Sequence, residues 1–591
     1  MKDKIERLAG KSVFHFAVLC LLPVLIYSNS LKNEFHYDDM FAIVNNQAIR
    51  SAHNIPALFL EVIKSSGEEE VDSGYRPFLA LSFMASYFIS GMNPAGFRLF
   101  NLLFHIFNTM LVYLLARGIL TGKCLPGSPQ KNVLPLIAGL LFACHPVHSE
   151  AVNYIHARSS VLSTFFILVS VYSYAVFRGG PAAPQLRRAA LYALSLACFI
   201  SGVLTKEEAF ILPLLLCLVE YCFISGADLK KSIAGFLKYI LPFFILLSVY
   251  VFHRVFMVSN LESPGGMETI TAYVLTQSRV IVRYILLMFY PVNLAVERYV
   301  PMSAGIFDSR VVFSGLLILL VLYAAVMLFG RKKEISFSIF WFFIALIPTS
   351  IIPLIIIMNE HRLYLAGAGA ALAGAAVTGE FYAVLEKKHN KGISLKITAV
   401  IVVLIISFFC LRDVKRNLDW RNGYTLWSKN IKVSPGSFRA HNNLGSFFDK
   451  KNDYDKAAAE YEESLRLNPG SATTHNNAGI IYYRRGLYDK AIEHYLAASA
   501  LENGYTDAIN NLGIVYAEKR MYNEALEQFE RVVELAPLHK DVYKNMGLLY
   551  RMKADAAGAA ACWEKYLEIN PQAPDAAIIR AELDKMRNEK K

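Results

Sequence analysis

Charged residues are scarce in this chain, 18% of 591, while 55% are hydrophobic. An average soluble chain carries about 25% charge. The apolar residues fall in runs of about 20 separated by short polar connections, which excludes a soluble globule for the first two-thirds and calls for a bilayer. Cysteine is also sparse. Most of the eight (Cys20, Cys124, Cys144, Cys198, Cys217, Cys222, Cys410, Cys562) lie in or near apolar runs, so no disulfide framework is implied. Nucleic-acid motifs are lacking, and the Lys and Arg behind the net charge of +12 cluster beside apolar runs, as membrane orientation requires. No Asn-x-Ser/Thr acceptor with a permitted middle residue occurs, which favours a prokaryotic source.

What is present reads as an all-α chain, a polytopic bundle of about eleven spans followed by an α-solenoid. Spans are predicted near residues 12–29, 97–116, 133–146, 160–177, 189–205, 209–225, 236–257, 312–330, 335–357, 363–383 and 395–411. The first follows Lys2, Lys4, Arg7 and Lys11 and is expected to stay uncleaved. Residues 78–89 are short for a span, and 271–290 carry Arg279 and Arg283 one turn apart. Both are expected as interfacial or re-entrant helices. With a cytoplasmic N-terminus, the cytoplasmic loops hold Arg117, Lys123 and Lys131; Arg178, Arg187 and Arg188; Lys230 and Lys231; Arg331, Lys332 and Lys333; Lys387, Lys388 and Lys391. That pattern obeys the positive-inside rule and places everything after Leu411 on the other side. This is the periplasm if the membrane is a bacterial inner membrane, the favoured reading, or the lumen of the endoplasmic reticulum in a eukaryote.

The predicted organisation is a membrane domain over 1–411, a connector over 412–436 and repeats over 437–591. In the last, Asn442-Asn443-Leu444-Gly445 recurs as Asn476-Asn477-Ala478-Gly479, Asn510-Asn511-Leu512-Gly513 and Lys544-Asn545-Met546-Gly547. The glycines are 34 residues apart, the tetratricopeptide period. The same register aligns Ala457, Ala491, Ala525 and Ala559, then Tyr461, Tyr495, Phe529 and Trp563. A half-repeat over 424–435 is expected to cap the stack against the membrane domain.

An ionisable group costs about 2.5–3.5 kcal/mol at a bilayer centre, so the placement of such groups carries information. In this topology His36-Tyr37-Asp38-Asp39, Tyr75-Arg76-Pro77, His145-Pro146-Val147-His148-Ser149-Glu150, Arg158, Lys206-Glu207-Glu208, Arg279 with Arg283, and Glu360-His361-Arg362 all fall on the far side. Acids and bases from distant parts of the chain thus gather at one face, as in a substrate cavity. Plainer readings exist: Asp38 and Asp39 as a solvated acidic loop, Lys206 and Glu207 as an interfacial ion pair, and His145 and His148 bonded to neighbours rather than to a metal.

In order and spacing these motifs, with the repeats behind them, resemble the transmembrane and tetratricopeptide-repeat O-mannosyltransferase family of the GT-C class. The resemblance implies a polyprenyl-phosphate sugar donor, mannose in eukaryotic members, a Ser or Thr hydroxyl acceptor, and no cofactor, a divalent metal being open but not favoured. It implies Asp38 as base with Asp39 orienting it or touching the acceptor. Arg76, Arg158, Lys206, His361 and Arg362, then Arg279 and Arg283, form the pool for the donor phosphate. His36, His145, His148, Glu150, Glu207 and Glu360 would support them. Asn443, Asn477, Asn511 and Asn545 recur on successive inner helices. They resemble the peptide-binding ladder in the repeats of the nucleocytoplasmic O-linked N-acetylglucosamine transferase, or else are solvated helix positions. The expected partners are therefore the bilayer, the lipid-linked sugar and an acceptor polypeptide, with no nucleic acid. Two other classes stay open, a non-catalytic scaffold recruiting envelope partners and a polymerase or transporter of lipid-linked glycans.

Overall fold

The computed structural model describes residues 12–60, 75–120, 130–179, 184–257, 267–571 and 573–589. Lys2, Lys4, Arg7, Lys11, Lys123 and Cys124, named above, lie outside them. The chain divides into a membrane unit that runs to Ser434 and a repeat unit that starts at Pro435. No strand occurs among the described residues.

The main helices of the membrane unit are α1 (Ser12–Tyr27), α2 (Pro77–Ser90), α3 (Pro94–Leu120), α4 (Gln130–Ala143), α5 (Arg158–Gly179), α6 (Gln185–Val203), α7 (Leu241–Met257), α8 (Met267–Phe289), α9 (Ser309–Phe329), α10 (Lys333–Ile351), α11 (Leu363–Lys388), α12 (Lys391–Asp419) and α13 (Gly423–Val433). Among the described residues ten helices are long and apolar enough to cross a membrane, or eleven if the bent pair Asn132–Ala143 and Pro146–Asn153 is one span. The chain is an integral membrane protein. Pro146 accounts for the 45° bend of that pair, since proline has no N–H to continue the helical ladder. Small residues let helices close up: a Cβ on Gly369 of α11 would stand 2.8 Å from the Ser338 carbonyl oxygen of α10.

Two segments differ from the sequence expectation. Residues 209–225 are not one regular helix but a 3₁₀ turn (Glu207–Ile211), an eight-residue α-helix (Leu212–Val219) and a π-turn (Glu220–Ile224). Glu207 at the start still meets Arg254 near the end of α7 at 2.8 Å, so the chain between them returns to the end it left. The expected interfacial segment 271–290 forms the 23-residue α8, most of which meets the length and apolarity of a span. Its hydrogen-bond partners run from the last turn of α10 into the segment that follows it. Tyr273 donates to the carbonyl of Thr349, Gln277 to Ile357 and Tyr284 to Asn359.

The repeat unit is a run of helix pairs from Phe438–Lys450 with Tyr454–Leu467 through Lys540–Met552 with Ala556–Ile569, closed by Ala576–Glu589. The 34-residue phrase has a steric cause. A Cβ on Gly445, Gly479 or Gly513 would stand 2.6–2.8 Å from the ring of Tyr461, Tyr495 or Phe529, and one on Gly547 would strike Trp563. Each aromatic is buried against the backbone of its paired helix, so each repeat needs its glycine.

Candidate active site

The first loop is fixed to the last span before it presents any carboxylate. Arg98 is 1% exposed and donates to the carbonyls of Asn33, Glu34 and Asn153. Asn417 of α12 donates to the carbonyl of Ile26 and accepts from Asn153. His36 donates through Nε2 to the carbonyl of Trp420 at 2.6 Å, and burial holds its imidazole at about 4, neutral at pH 7. Tyr37 then turns with φ 51°, a left-handed conformation that is costly for a bulky residue and recurs at functional sites.

The two acids that follow have different environments. Asp39 is wholly buried and accepts the backbone N–H groups of His36 at 3.0 Å and His156 at 2.8 Å, joining the first loop to the turn before α5. Burial pushes its carboxyl up to about 7 against those donors and Arg98, and the charge of Asp38 pushes the same way. Asp38 is only half-buried, and its Oδ2 accepts the hydroxyl of Tyr154 at 2.5 Å. Burial raises its carboxyl, while Tyr154 and the positive charge of Arg76 draw it partly back. Tyr154 is stacked on Trp420, ring centres 5.8 Å apart, which sets the direction of its hydroxyl.

Cations converge on the same end of the helices. Arg76, just before α2, donates to Glu207 at 3.0 Å, and Glu207 is shared with Arg254. Burial pushes the Glu207 carboxyl up, but Arg76 and Arg254 outweigh it and hold it at about 2. Lys206 donates to Ser160 at 2.7 Å and pairs with Glu208, and it feels the charges of Arg76 and Arg362. His361 meets Glu150 at 2.7 Å, and Glu360 accepts the N–H of Ala295 at 2.6 Å while its other oxygen is 3.7 Å from Arg416. The second oxygens of Glu150 and Glu360 have no hydrogen-bond partner.

Other candidates are spent on the fold. Arg158 is fully buried and donates to Asn101, Ser82, Ser86 and the carbonyl of Phe97, with Phe83 4.8 Å from its guanidinium. Arg362 donates to the carbonyls of Ile356 and Ile357, and Arg279 to Pro301 and Ser303. The charge of Arg283 bears on Arg298. His145 donates to the carbonyl of Met288 in α8 and His148 to that of Phe142 across the bend, so both rings are held by backbone carbonyls.

In the repeat unit the predicted asparagines do form a ladder, with a feature the sequence did not announce. Asn477 donates to Asn442, Asn511 to Asn476 and Asn545 to Asn510, at 2.9–3.0 Å. Each amide is therefore clamped to the preceding repeat.

Tetratricopeptide models match residues 447–486, 470–537 and 510–574. Protein O-mannosyl-transferase Tmtc3 of Drosophila melanogaster is 23% identical over 516 residues, 77% of this chain and 55% of that protein. Its human counterpart TMTC3 is 24% identical over 73% of this chain and 49% of its own length. The chain is similar to protein O-mannosyl-transferases of this type over most of its length. It spans about half the length of the curated relatives it matches. Among solved structures, the tetratricopeptide protein YrrB is 22% identical and covers 31% of this chain and 91% of its own, with a TM-score of 0.24.

Against that family resemblance, sequence reasoning passed over Tyr154, Arg254, Arg98 and Trp420. Arg254 had a usable signal, a cation at the end of a span on the same side as Glu207. Tyr154 had none, because a Tyr two residues before the His-Ala-Arg turn reads as an interfacial aromatic.

Proposed function

We propose that this chain is a membrane glycosyltransferase that moves a sugar, mannose by its relatives' names, from a polyprenyl-phosphate donor to Ser or Thr hydroxyls of a polypeptide. The observation that carries the reading is the half-buried Asp38, held by Tyr154 and facing the charge of Arg76, at the helix ends where Lys206, Glu207 and His361 also lie. A lipid phosphate is a good leaving group once its charge is compensated, which Arg76, Arg254 and Lys206 do. The acceptor hydroxyl is a poor nucleophile and needs a positioned base. Asp38 takes the hydroxyl proton as the oxygen attacks the anomeric carbon. The carbon–oxygen bond to phosphate breaks, the electron pair leaves with the lipid phosphate, and the anomeric configuration inverts. Asp39 orients the loop, and Arg158 acts in the fold rather than on the donor.

Orientation follows from charge. At the opposite helix ends Arg178 pairs with Glu220, and Lys332 with Glu380, beside the basic loops assigned to the cytoplasm. The Asp38 cluster then faces the periplasm or lumen, where the repeats hold extended acceptor chains along the asparagine ladder. Incubating the purified chain with radiolabelled polyprenyl-phosphate mannose and a Ser/Thr-rich polypeptide tests the reading. Label on the polypeptide is expected. Label confined to lipid-linked glycan favours the polymerase reading, and no transfer under any donor favours the scaffold.

A further inference from the structure

A second group of cations lies at the end of the last span, next to the Glu150–His361 pair. Helix α12 ends with Arg412, Lys415, Arg416 and Asp419, which together with Leu294 and with Lys429 of α13 line a small depression open to the surface. Arg416 is 4% exposed. Its Nη1 donates to Asp419 at 3.1 Å, but its Nη2 is 3.7 Å from Glu360, beyond hydrogen-bond reach. Both Nε and Nη2 of this buried guanidinium are thus without a hydrogen-bond partner, and so is Nε of Arg412. Lys415 and Lys429 form no ion pair among the described residues. Arg298 crowds the group further: burial lowers its guanidinium, and the charges of Arg283 and Arg416 add to that against Glu360. Six cations, Arg412, Lys415, Arg416, Lys429, Arg298 and Arg283, therefore face three acids, Glu360, Asp419 and, through Arg416, Glu150. A guanidinium with unmatched donors among like charges at the rim of a depression favours an anion there, and a phosphate matches its planar fork.

The apolar setting identifies where that phosphate comes from. On the same helix Leu411, Val414 and Leu418 are exposed, as is Tyr290, four residues before Leu294, so the cations sit where the lipid-facing surface of the span ends. The helix C-terminus is itself the negative end of the dipole, so side chains rather than backbone amides must hold the anion. We propose that this pocket binds the phosphate head of an anionic membrane lipid, with Arg416 as its buried anchor and Lys415 and Lys429 as its outer clamp. The excess of positive charge favours a phosphomonoester over a diester. The site is independent of the transfer reaction and would stand if the chain were a scaffold.

Native mass spectrometry of the full-length protein in detergent, titrated with short-chain phosphatidic acid, phosphatidylglycerol, phosphatidylcholine and inorganic phosphate, tests this directly. Phosphatidic acid should bind tightest, and the Lys415→Ala/Lys429→Ala double variant should bind it at least tenfold more weakly. The Lys→Arg pair at the same positions should retain binding, and Lys387→Ala/Lys388→Ala at the other membrane face should change nothing. Arg412→Gln provides a second variant if the double variant loses its monodisperse elution. Equal affinity in wild type and variants, or inorganic phosphate binding as tightly as the lipid, would overturn the proposal.

Discussion

The hydroxyl of Tyr154 donates a 2.5 Å hydrogen bond to Oδ2 of Asp38. It stabilises the charged carboxylate, lowering a carboxyl that burial has raised. Removing the hydroxyl therefore raises the Asp38 value further.

Tyr154→Phe should accordingly move the acid limb of the kcat/KM profile upward by about one pH unit, since a hydrogen bond to a charged group contributes about 1.5–3 kcal/mol and one unit is about 1.4. The sign follows from the base role: activity is present above the Asp38 value and lost as pH falls through it. Transfer rates measured against pH for wild type and variant check this. An unmoved limb would separate Asp38 from the rate.

Arg76 and Arg254 share Glu207, so their replacements should not add. Arg76→Ala and Arg254→Ala should each raise the donor KM severalfold, with the double variant little worse than the more damaging single one. Additive losses would mean two separate roles.

Glu207 stabilises the folded state through the same pair. Its carboxylate is held near 2 from an ordinary 4.5, a contribution on the order of 3 kcal/mol that is fully present above about pH 4.5 and is lost as pH falls toward 2. Thermal unfolding of the wild type should therefore steepen in its pH dependence over that window, and Glu207→Gln should flatten it and lower Tm at pH 7.

The 34-residue period, the helical class and the run of apolar spans were legible because each repeats one physical constraint many times. The Gly445 to Tyr461 contact and its three equivalents are an example. The paired acids and Glu207 were legible as costly charges at span ends. What was not legible depends on three-dimensional neighbours. Nothing in the chain near Arg158 announces that Asn101, Ser82 and Ser86 absorb its donors, and nothing near Asp39 announces the amide of His156. The breaks in 207–224 were hidden because hydropathy averages over 3₁₀ and π-turns as readily as over α-helix.

The asparagine ladder makes a separable prediction. Asn477, Asn511 and Asn545 each use one amide N–H on the preceding repeat, leaving an acceptor and a donor per amide for an extended chain. Replacing Asn443, Asn477, Asn511 and Asn545 by Ala should raise acceptor KM without changing donor hydrolysis. Replacing Asn442, Asn476 and Asn510 instead should lower Tm with a smaller effect on KM. Equal KM effects from both sets would assign the ladder to stability alone.

Asp38→Asn in the otherwise intact, membrane-embedded protein tests the central claim most directly. It keeps the size of the side chain and a partner for Tyr154 but cannot accept the acceptor proton. Single-turnover transfer from a polyprenyl-phosphate sugar should fall by about 10²–10⁴, the usual contribution of a positioned base, with donor affinity and Tm little changed. Turnover within a few-fold of wild type would contradict Asp38 as the base.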